Sequence, residues 1–410
     1  MDLKKRLAQL DRLSRRPDAA VPTGFGAAVS GDPAETLTHL GLEEQTGPLG
    51  PFWMRSRFDV LPRPTFPLPE LREFFANQAV PAPDPGEILF MDTETTGLAG
   101  GTGTIPFLVG VSWWAADGLE TRQYFLPDPG HEAALLKELA DLAAGFRVVA
   151  TFNGASYDLP LLRTRARLNR REDPFVSLTG WDLLFPARRL WGNRLENCRQ
   201  QTLEKEVCGL PRGAGDLEGS RIPQAWFDFL ASGRPGQLPE VMTHNQRDML
   251  GMAHLLLRVV EAARLVAPGT EPSADLDWRD GWALGRICEK RRDTQLSLAC
   301  LETAVAAALR GKARGLGEPR FVADAVRILK RGGDWGLVEK IIRAGLAAGV
   351  DTAWLHREAA ILYEHRLIDL PKALDHARKS GEVHRVDRLR KMMDRRATEA
   401  SCRLEAEMGS

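Results

Sequence analysis

Asp92 and Glu94, in the stretch ILFMDTETTGL (88–98), stand two residues apart directly after an apolar run. Alternate residues of a strand face the same way, so both carboxylates project to one side. Two carboxylates held that close repel each other unless a shared proton or a hard divalent cation neutralises them. A bare Asp-x-Glu also describes the polar face of any half-exposed strand, so the case for a cation rests on the company the pair keeps. A glycine-rich turn follows, in which Gly97, Gly100, Gly101 and Gly103 surround Thr102. No Gly-Lys-Ser/Thr comes after it, which excludes a Walker-type phosphate loop.

Two further acids fall where elements of the right kind are expected. RVVATF (147–152) reads as a buried strand, and the Asn153-Gly154 pair after it as a turn into a helix, which puts Asp158 near the helix start. By themselves Asn153 is a turn former and Asp158 a helix N-terminal charge favoured by the dipole. In LPEVMTHNQRDMLGMAHLLL (238–257) the apolar positions Met249, Met252, Ala253, Leu256 and Leu257 recur at helical spacing. His244 and Asp248 lie four residues apart, on one face of that helix.

In this order, DTETTGL, the Asn153/Tyr157/Asp158 pattern and His244/Asp248 resemble the three motifs of the DnaQ-like (DEDD) 3′–5′ exonucleases, within the ribonuclease H-like fold. The segments DTETTGLAGGTGTIPFLVG, WDLLFPARRLW, CRQQTLEKEVCGL and GDLEGSRIP to HNQRDML extend the likeness over most of 86–262 to the YprB-type domain, a bacterial family often followed by tetratricopeptide-like helices. The resemblance implies that Asp92 bridges two metal ions, that Glu94 and Asp248 complete one ion's site, and that Asp158 serves the other through water. All-oxygen ligation of this kind favours Mg²⁺ or Mn²⁺ over zinc. The chain departs from both branches of the superfamily in placing His, rather than Tyr, four residues before the last Asp. An imidazole at His244 suits a general base near neutral pH. Asp182 is expected beside the site, whereas Glu204 in QTLEKEV reads as a helix residue.

The implied reaction is hydrolysis of single-stranded DNA or RNA from a free 3′ end. The alternative is a noncatalytic or regulatory scaffold that holds nucleic acid and recruits a protein partner through its helices. The candidate substrate contacts are Thr95, Gly97, Thr102, Asn153, Arg163 and Arg167. Residues 160–199 carry nine arginines against four acids, and Arg163 and Arg167 follow Asp158 at helical spacing, as a phosphate track would. Charge over the whole chain is balanced at 55 basic and 55 acidic residues, which argues against indiscriminate polyanion binding by the entire surface.

The fold expected around these residues is α/β: a ribonuclease H-like mixed sheet flanked by helices over 86–266, followed by an all-α helical-repeat domain over 278–400. Residues 1–85 read as an N-terminal amphipathic helix and an irregular lead-in rich in Pro and Gly, and APGTEPSADLD (267–277) as a linker. Three units of paired amphipathic stretches follow, with loosely tetratricopeptide-like positions at Trp282, Gly285, Tyr363 and Pro371. No segment is long and apolar enough to cross a membrane. Five cysteines without a CxxC pair argue against a disulfide framework or zinc ribbon and for a cytoplasmic location.

Overall fold

The apolar runs that frame Asp92 and Glu94 become the middle of one sheet. In the computed structural model, residues 31–65, 71, 74–75, 83–97, 103–116, 118–213, 217–267, 269–273, 276–310 and 315–408 are described. The strands are β1 (Glu43–Gly47), β2 (Gly50–Asp59), β3 (Ile88–Thr95), β4 (Pro106–Trp114), β5 (Leu119–Phe125), β6 (Val148–Thr151) and β7 (Thr179–Asp182). They pair in the order β1-β2-β5-β4-β3-β6-β7. The steps from β1 to β3 are antiparallel, and β3-β6 and β6-β7 are parallel. Parallel pairing needs cover on both faces. Residues 88–91 and 148–151 are accordingly buried without interruption.

The helices of this part are α1 (Pro33–His39), α2 (Glu132–Ala143), α3 (Asp158–Leu168), α4 (Leu184–Trp191), α5 (Gln200–Leu203, continued by a π-turn over Glu204–Cys208), α6 (Ile222–Ser232) and α7 (Leu238–Arg264). On β3, Leu89 and Met91 join a core with Leu135 and Leu139 of α2, Leu162 of α3 and Trp226 of α6. Ile88 and Phe90 join a second core with Met249, Met252 and Leu256 of α7. The first turns of α7, at Leu238, Val241 and Met242, belong to the first core. One helix thus contributes to both cores, and His244, Asn245 and Asp248 lie on the stretch between its two contributions.

A row of register partners crosses the sheet at this level. Asp92 of β3 lies opposite Gly110 of β4, Gly110 opposite Gln123 of β5, and Gln123 opposite Arg55 of β2. Arg55 Nε donates to Gln123 Oε1 at 2.7 Å. Gln123 Nε2 donates to Asn245 Oδ1 at 2.8 Å, and Asn245 Nδ2 donates to Asp92 Oδ2 at 3.0 Å. Asn245 fits because Gly110 has no side chain: a Cβ there would lie 2.1 Å from Asn245 Oδ1.

The lead-in differs from its expectation. Residues 43–59 are not irregular but form a hairpin that widens the sheet by two strands. Phe52 and Trp53 pack into the core on β2, and the Pro and Gly of TGPLGP (46–51), which suggested irregular chain, make and flank its tight turn. The amphipathic helix expected over the first residues lies outside the described residues.

Beyond 277 the described chain is all helical: α8 (Trp278–Lys290), α9 (Thr294–Arg310), α10 (Pro319–Gly332), α11 (Trp335–Ala347), α12 (Ala353–His365), α13 (Leu370–Ser380) and α14 (Val383–Met408). Their limits follow local chemistry. Asp277, Asp334, Thr352 and Asp369 cap N-termini with side-chain oxygens, and Gly333 and Gly381 end helices in the left-handed conformation. α8 packs on α9, α10 on α11 and α12 on α13. Leu284, Ile287 and Cys288 of α8 also enter the core that holds the second half of α7.

Gly110→Ala is expected to drive Asn245 off Asp92 and to lower stability by about 1–3 kcal/mol, the usual cost of overpacking a tight core. Urea denaturation checks this, and an unchanged midpoint would mean that the row is looser than its geometry indicates.

Candidate metal centre

β3 delivers Asp92 and Glu94 just past the buried residues Ile88 to Met91; Glu94 is 8% exposed and Asp92 half-buried. α7 brings His244 and Asp248 to the same place. Ligand atoms of Glu94, His244 and Asp248 lie within 4.8 Å of one another. His244 Nε2 is 3.4 Å from Asp248 Oδ2, the i,i+4 contact that the sequence spacing implies.

Asp158 is the first residue of α3 and accepts a hydrogen bond from Thr93 Oγ1, the residue between Asp92 and Glu94 on β3. The loop before it is held by Asp182. Asp182 Oδ1 accepts from the backbone N–H of Asn153 at 2.8 Å and of Leu184 at 3.0 Å, and Oδ2 accepts from that of Ala155 at 3.3 Å. Asn153 takes a left-handed conformation at φ 63°, which Asn tolerates better than most residues. Gly154 lets the loop lie against the acid, since a Cβ there would be 2.9 Å from Asp158 Oδ2.

The electrostatics follow from this crowding. Burial, and then the charges of Asp248, Asp158 and Glu94, hold the Asp92 carboxyl well above the usual carboxylate range, against the lowering effect of the Asn245 hydrogen bond. Burial pushes Asp158 up to about 6, although the Thr93 hydroxyl favours its ionised form. Asp248 is also raised by burial, with His244 and Arg212 opposing the shift. A close set of acids that together raise the pKa of Asp92, with an imidazole beside them, fits a hard divalent cation through its oxygen donors.

Sequence reading missed the cation that the fold itself places here. Arg212 donates from Nε to Glu204 Oε2 at 2.6 Å and from Nη2 to Glu204 Oε1 at 2.8 Å, and its Nη2 also pairs with Asp248 Oδ1. Gln200 Nε2 joins in, donating to the Asp248 carbonyl at 2.8 Å and to Glu204 Oε1 at 3.1 Å. Glu204 is therefore not simply a helix residue: it is buried and grips the arginine that grips Asp248. Arg212 stands in a loop with no periodic pattern, so no local signal marks it. Asn245 and Thr93, neighbours of His244 and Asp92, could have been found by asking what hydrogen-bonds a buried carboxylate.

The expected substrate contacts fall in different places. Thr95 Oγ1 donates to the Gly97 carbonyl at 2.9 Å, closing the turn that leaves β3. Thr102 lies outside the described residues. Arg163 pairs with Asp173 at 2.8 Å. Together with Arg167 it lines a groove that also contains Glu172 and Asp173, and none of the four carboxylates Asp92, Glu94, Asp158 and Asp248 lines that groove.

Residues 89–260 match the family model described as the RNase H superfamily. The chain is 31% identical over 219 residues to the uncharacterized protein YprB of Bacillus subtilis (strain 168), an alignment covering 53% of this chain and 51% of that protein. The chain thus spans about half the length of the curated relative it matches. A crystal structure of exonuclease I in complex with inhibitor BCBP aligns over 74% of this chain and 99% of its own at 12% identity, with a TM-score of 0.25, too low to support any argument. The mixed sheet with flanking helices that carries the carboxylates is a ribonuclease H-like domain, followed by an all-helical region.

Proposed function

We propose that the chain is a metal-dependent 3′–5′ exonuclease acting on single-stranded DNA or RNA. The observation that carries this reading is that ligand atoms of Glu94, His244 and Asp248 gather within 4.8 Å of one another, and that Asp248, Asp158 and Glu94 stand close enough to raise the pKa of Asp92, in a ribonuclease H-like domain. Asp92, Glu94 and the Asp248 oxygen that faces His244 would hold one Mg²⁺ or Mn²⁺ ion, with Asp92 shared and Asp158 serving a second. Such a pair, when bound, stabilises the charge that builds on the phosphate and on the entering and leaving oxygens.

The chain's own residues do the rest. His244 Nε2 takes the proton of the attacking water as its oxygen bonds to phosphorus and the bond to the 3′ oxygen breaks. Asn245 holds Asp92, Thr93 holds Asp158, and Asp182 fixes the loop between β6 and α3. The ring of Tyr157, 59% exposed and adjacent to Asp158, offers a face on which a terminal base stacks. The turn at Thr95–Gly97 passes the same end of β3. The 3′ polarity rests on the resemblance of the three motifs.

A scaffold reading draws on one observation: Arg212 already neutralises one oxygen of Asp248. A pocket that needs no metal would use an arginine in this way. Metal titration separates the two.

In wild-type protein, calorimetric titration with Mn²⁺ is expected to show binding that Asp92→Asn weakens by roughly a hundredfold or more, since even supporting residues of metal sites are worth 10–100-fold. End-labelled DNA and RNA should be shortened from the 3′ end by wild type and left intact by the variant. Absence of Mn²⁺ binding to wild type would favour the scaffold. His244→Ala should reduce turnover by about 10²–10⁴ while Mn²⁺ affinity stays near wild type. Turnover of that variant at the wild-type rate in saturating Mn²⁺ would remove His244 from the proton transfer.

A further inference from the structure

Glycine in the interior of a long helix costs stability relative to alanine, so Gly251, midway along α7 and one turn past Asp248, calls for a reason. A Cβ at that position would lie 2.1 Å from Glu204 Oε1 and 2.7 Å from its Cδ. The glycine therefore makes the place that the Glu204 carboxylate occupies against α7. Glu204 reaches it on an uncommon piece of backbone. It opens the π-turn Glu204–Cys208, and beyond that turn the Leu210 N–H donates back to the Glu204 carbonyl at 2.8 Å. Gly209, left-handed at φ 71°, leads the chain into the loop that carries Arg212.

What this local construction holds is one guanidinium. Arg212 and Glu204 are both buried, and the two Glu204 oxygens accept from Nε at 2.6 Å and from Nη2 at 2.8 Å. The same Nη2 pairs with Asp248 Oδ1, while Asp248 Oδ2 stands 3.4 Å from His244 Nε2. Gln200 closes the arrangement from α5, its Nε2 shared between Glu204 Oε1 and the Asp248 carbonyl. An uncompensated arginine beside a metal ligand would repel the ion. Glu204 cancels that charge, so what reaches Asp248 is a directed N–H with little net charge behind it. An arginine that only stood in for a metal ion would have no use for Glu204.

We infer that Arg212, fixed by Glu204 in the space left at Gly251, is a positioning residue of the metal centre: it holds the Asp248 carboxylate in the rotation that turns Oδ2 toward His244 and the ion. Hydrogen-bond partners of metal-ligating carboxylates act in this way, and losing one costs about 10–100-fold in affinity or activity. The metal centre proposed above is the premise; hydrolysis is not, because the readout is ion binding.

The test is calorimetric titration of EDTA-stripped, dialysed protein with Mn²⁺, beside urea denaturation of the metal-free protein. Replacing a buried ion pair by apolar side chains of similar volume is often neutral or stabilising, so Glu204→Leu/Arg212→Met removes the fork at constant net charge while keeping the fold. This variant is expected to unfold at a urea midpoint no lower than that of wild type and to bind Mn²⁺ about 10–100-fold more weakly. Arg212→Lys keeps the charge without the planar fork, and its affinity should fall between the two. Gly251→Ala changes no charge and should also weaken Mn²⁺ binding, by crowding Glu204; it is the second measurement if the double variant does not fold. Unchanged Mn²⁺ affinity in the folded double variant, or in Gly251→Ala in its place, would overturn the inference. So would an Arg212→Lys variant that binds like wild type, since charge without orientation would then suffice. Wild type that binds no Mn²⁺ would remove the metal centre and the role of Arg212 together. Wild type that binds Mn²⁺, loses affinity in the double variant and cleaves neither DNA nor RNA would leave Arg212 in its role and remove the nuclease reading alone.

Discussion

Asp92 puts a carboxyl group in a place from which charges are normally expelled, and much of the sheet is arranged around that fact. Its crowded surroundings raise its pKa, and three other acids raise it further. What offsets this within the chain is an amide bridge, from Asn245 through Gln123 to the buried guanidinium of Arg55. Burial and the neighbouring Arg57 lower Arg55 to about 10, which leaves it charged at neutral pH. A cation thus stands at the far end of a hydrogen-bonded row whose near end is a carboxylate. Polarised networks of this kind hold only when every member is satisfied. The glycine at 110 is part of the same arrangement, because it makes the room that Asn245 occupies.

Asp248 is supported differently. Its partner is the Arg212–Glu204 pair, a buried ion pair rather than a chain of neutral amides. Buried ion pairs contribute little net stability against an apolar substitute, but losing one partner leaves an uncompensated charge. This favours a role in geometry: the guanidinium fork fixes the rotation of the Asp248 carboxylate and leaves its other oxygen turned toward His244. The two acids that α7 and β3 bring together are thus oriented by different devices, an amide row for Asp92 and an ion pair for Asp248.

Much of this was legible in the sequence wherever a periodic element carried the residue. The Asp92/Glu94 alternation and the His244/Asp248 spacing translated directly into side chains on one face, and the three helix pairs after 277 fell where amphipathic stretches repeat. What sequence did not show was partnership across long separations. Arg212 is thirty-six residues from Asp248 and Arg55 sixty-eight from Gln123, and neither lies in a pattern that betrays its partner. The β1–β2 hairpin was missed for another reason: its turn is so dense in Pro and Gly that the short strands beside it read as irregular chain. The arginines after Asp158 show the reverse error. Helical spacing placed Arg163 on an expected track, but it is paired with Asp173, whose position in the fold no spacing rule conveys.

α7 has a wider consequence. Its early turns are shared with the core under one face of the sheet, its later turns with the core on the other, and that second core continues into α8 and α9 through Leu284, Cys288 and Cys300. No surface can be drawn between the sheet and the helices that follow it without cutting through continuous apolar packing. Packing of this kind is expected to couple the unfolding of α8 and α9 to that of the sheet, while α10 to α13 share a further core. The arrangement of the carboxylate cluster is therefore coupled to the integrity of helices that contribute no residue to it.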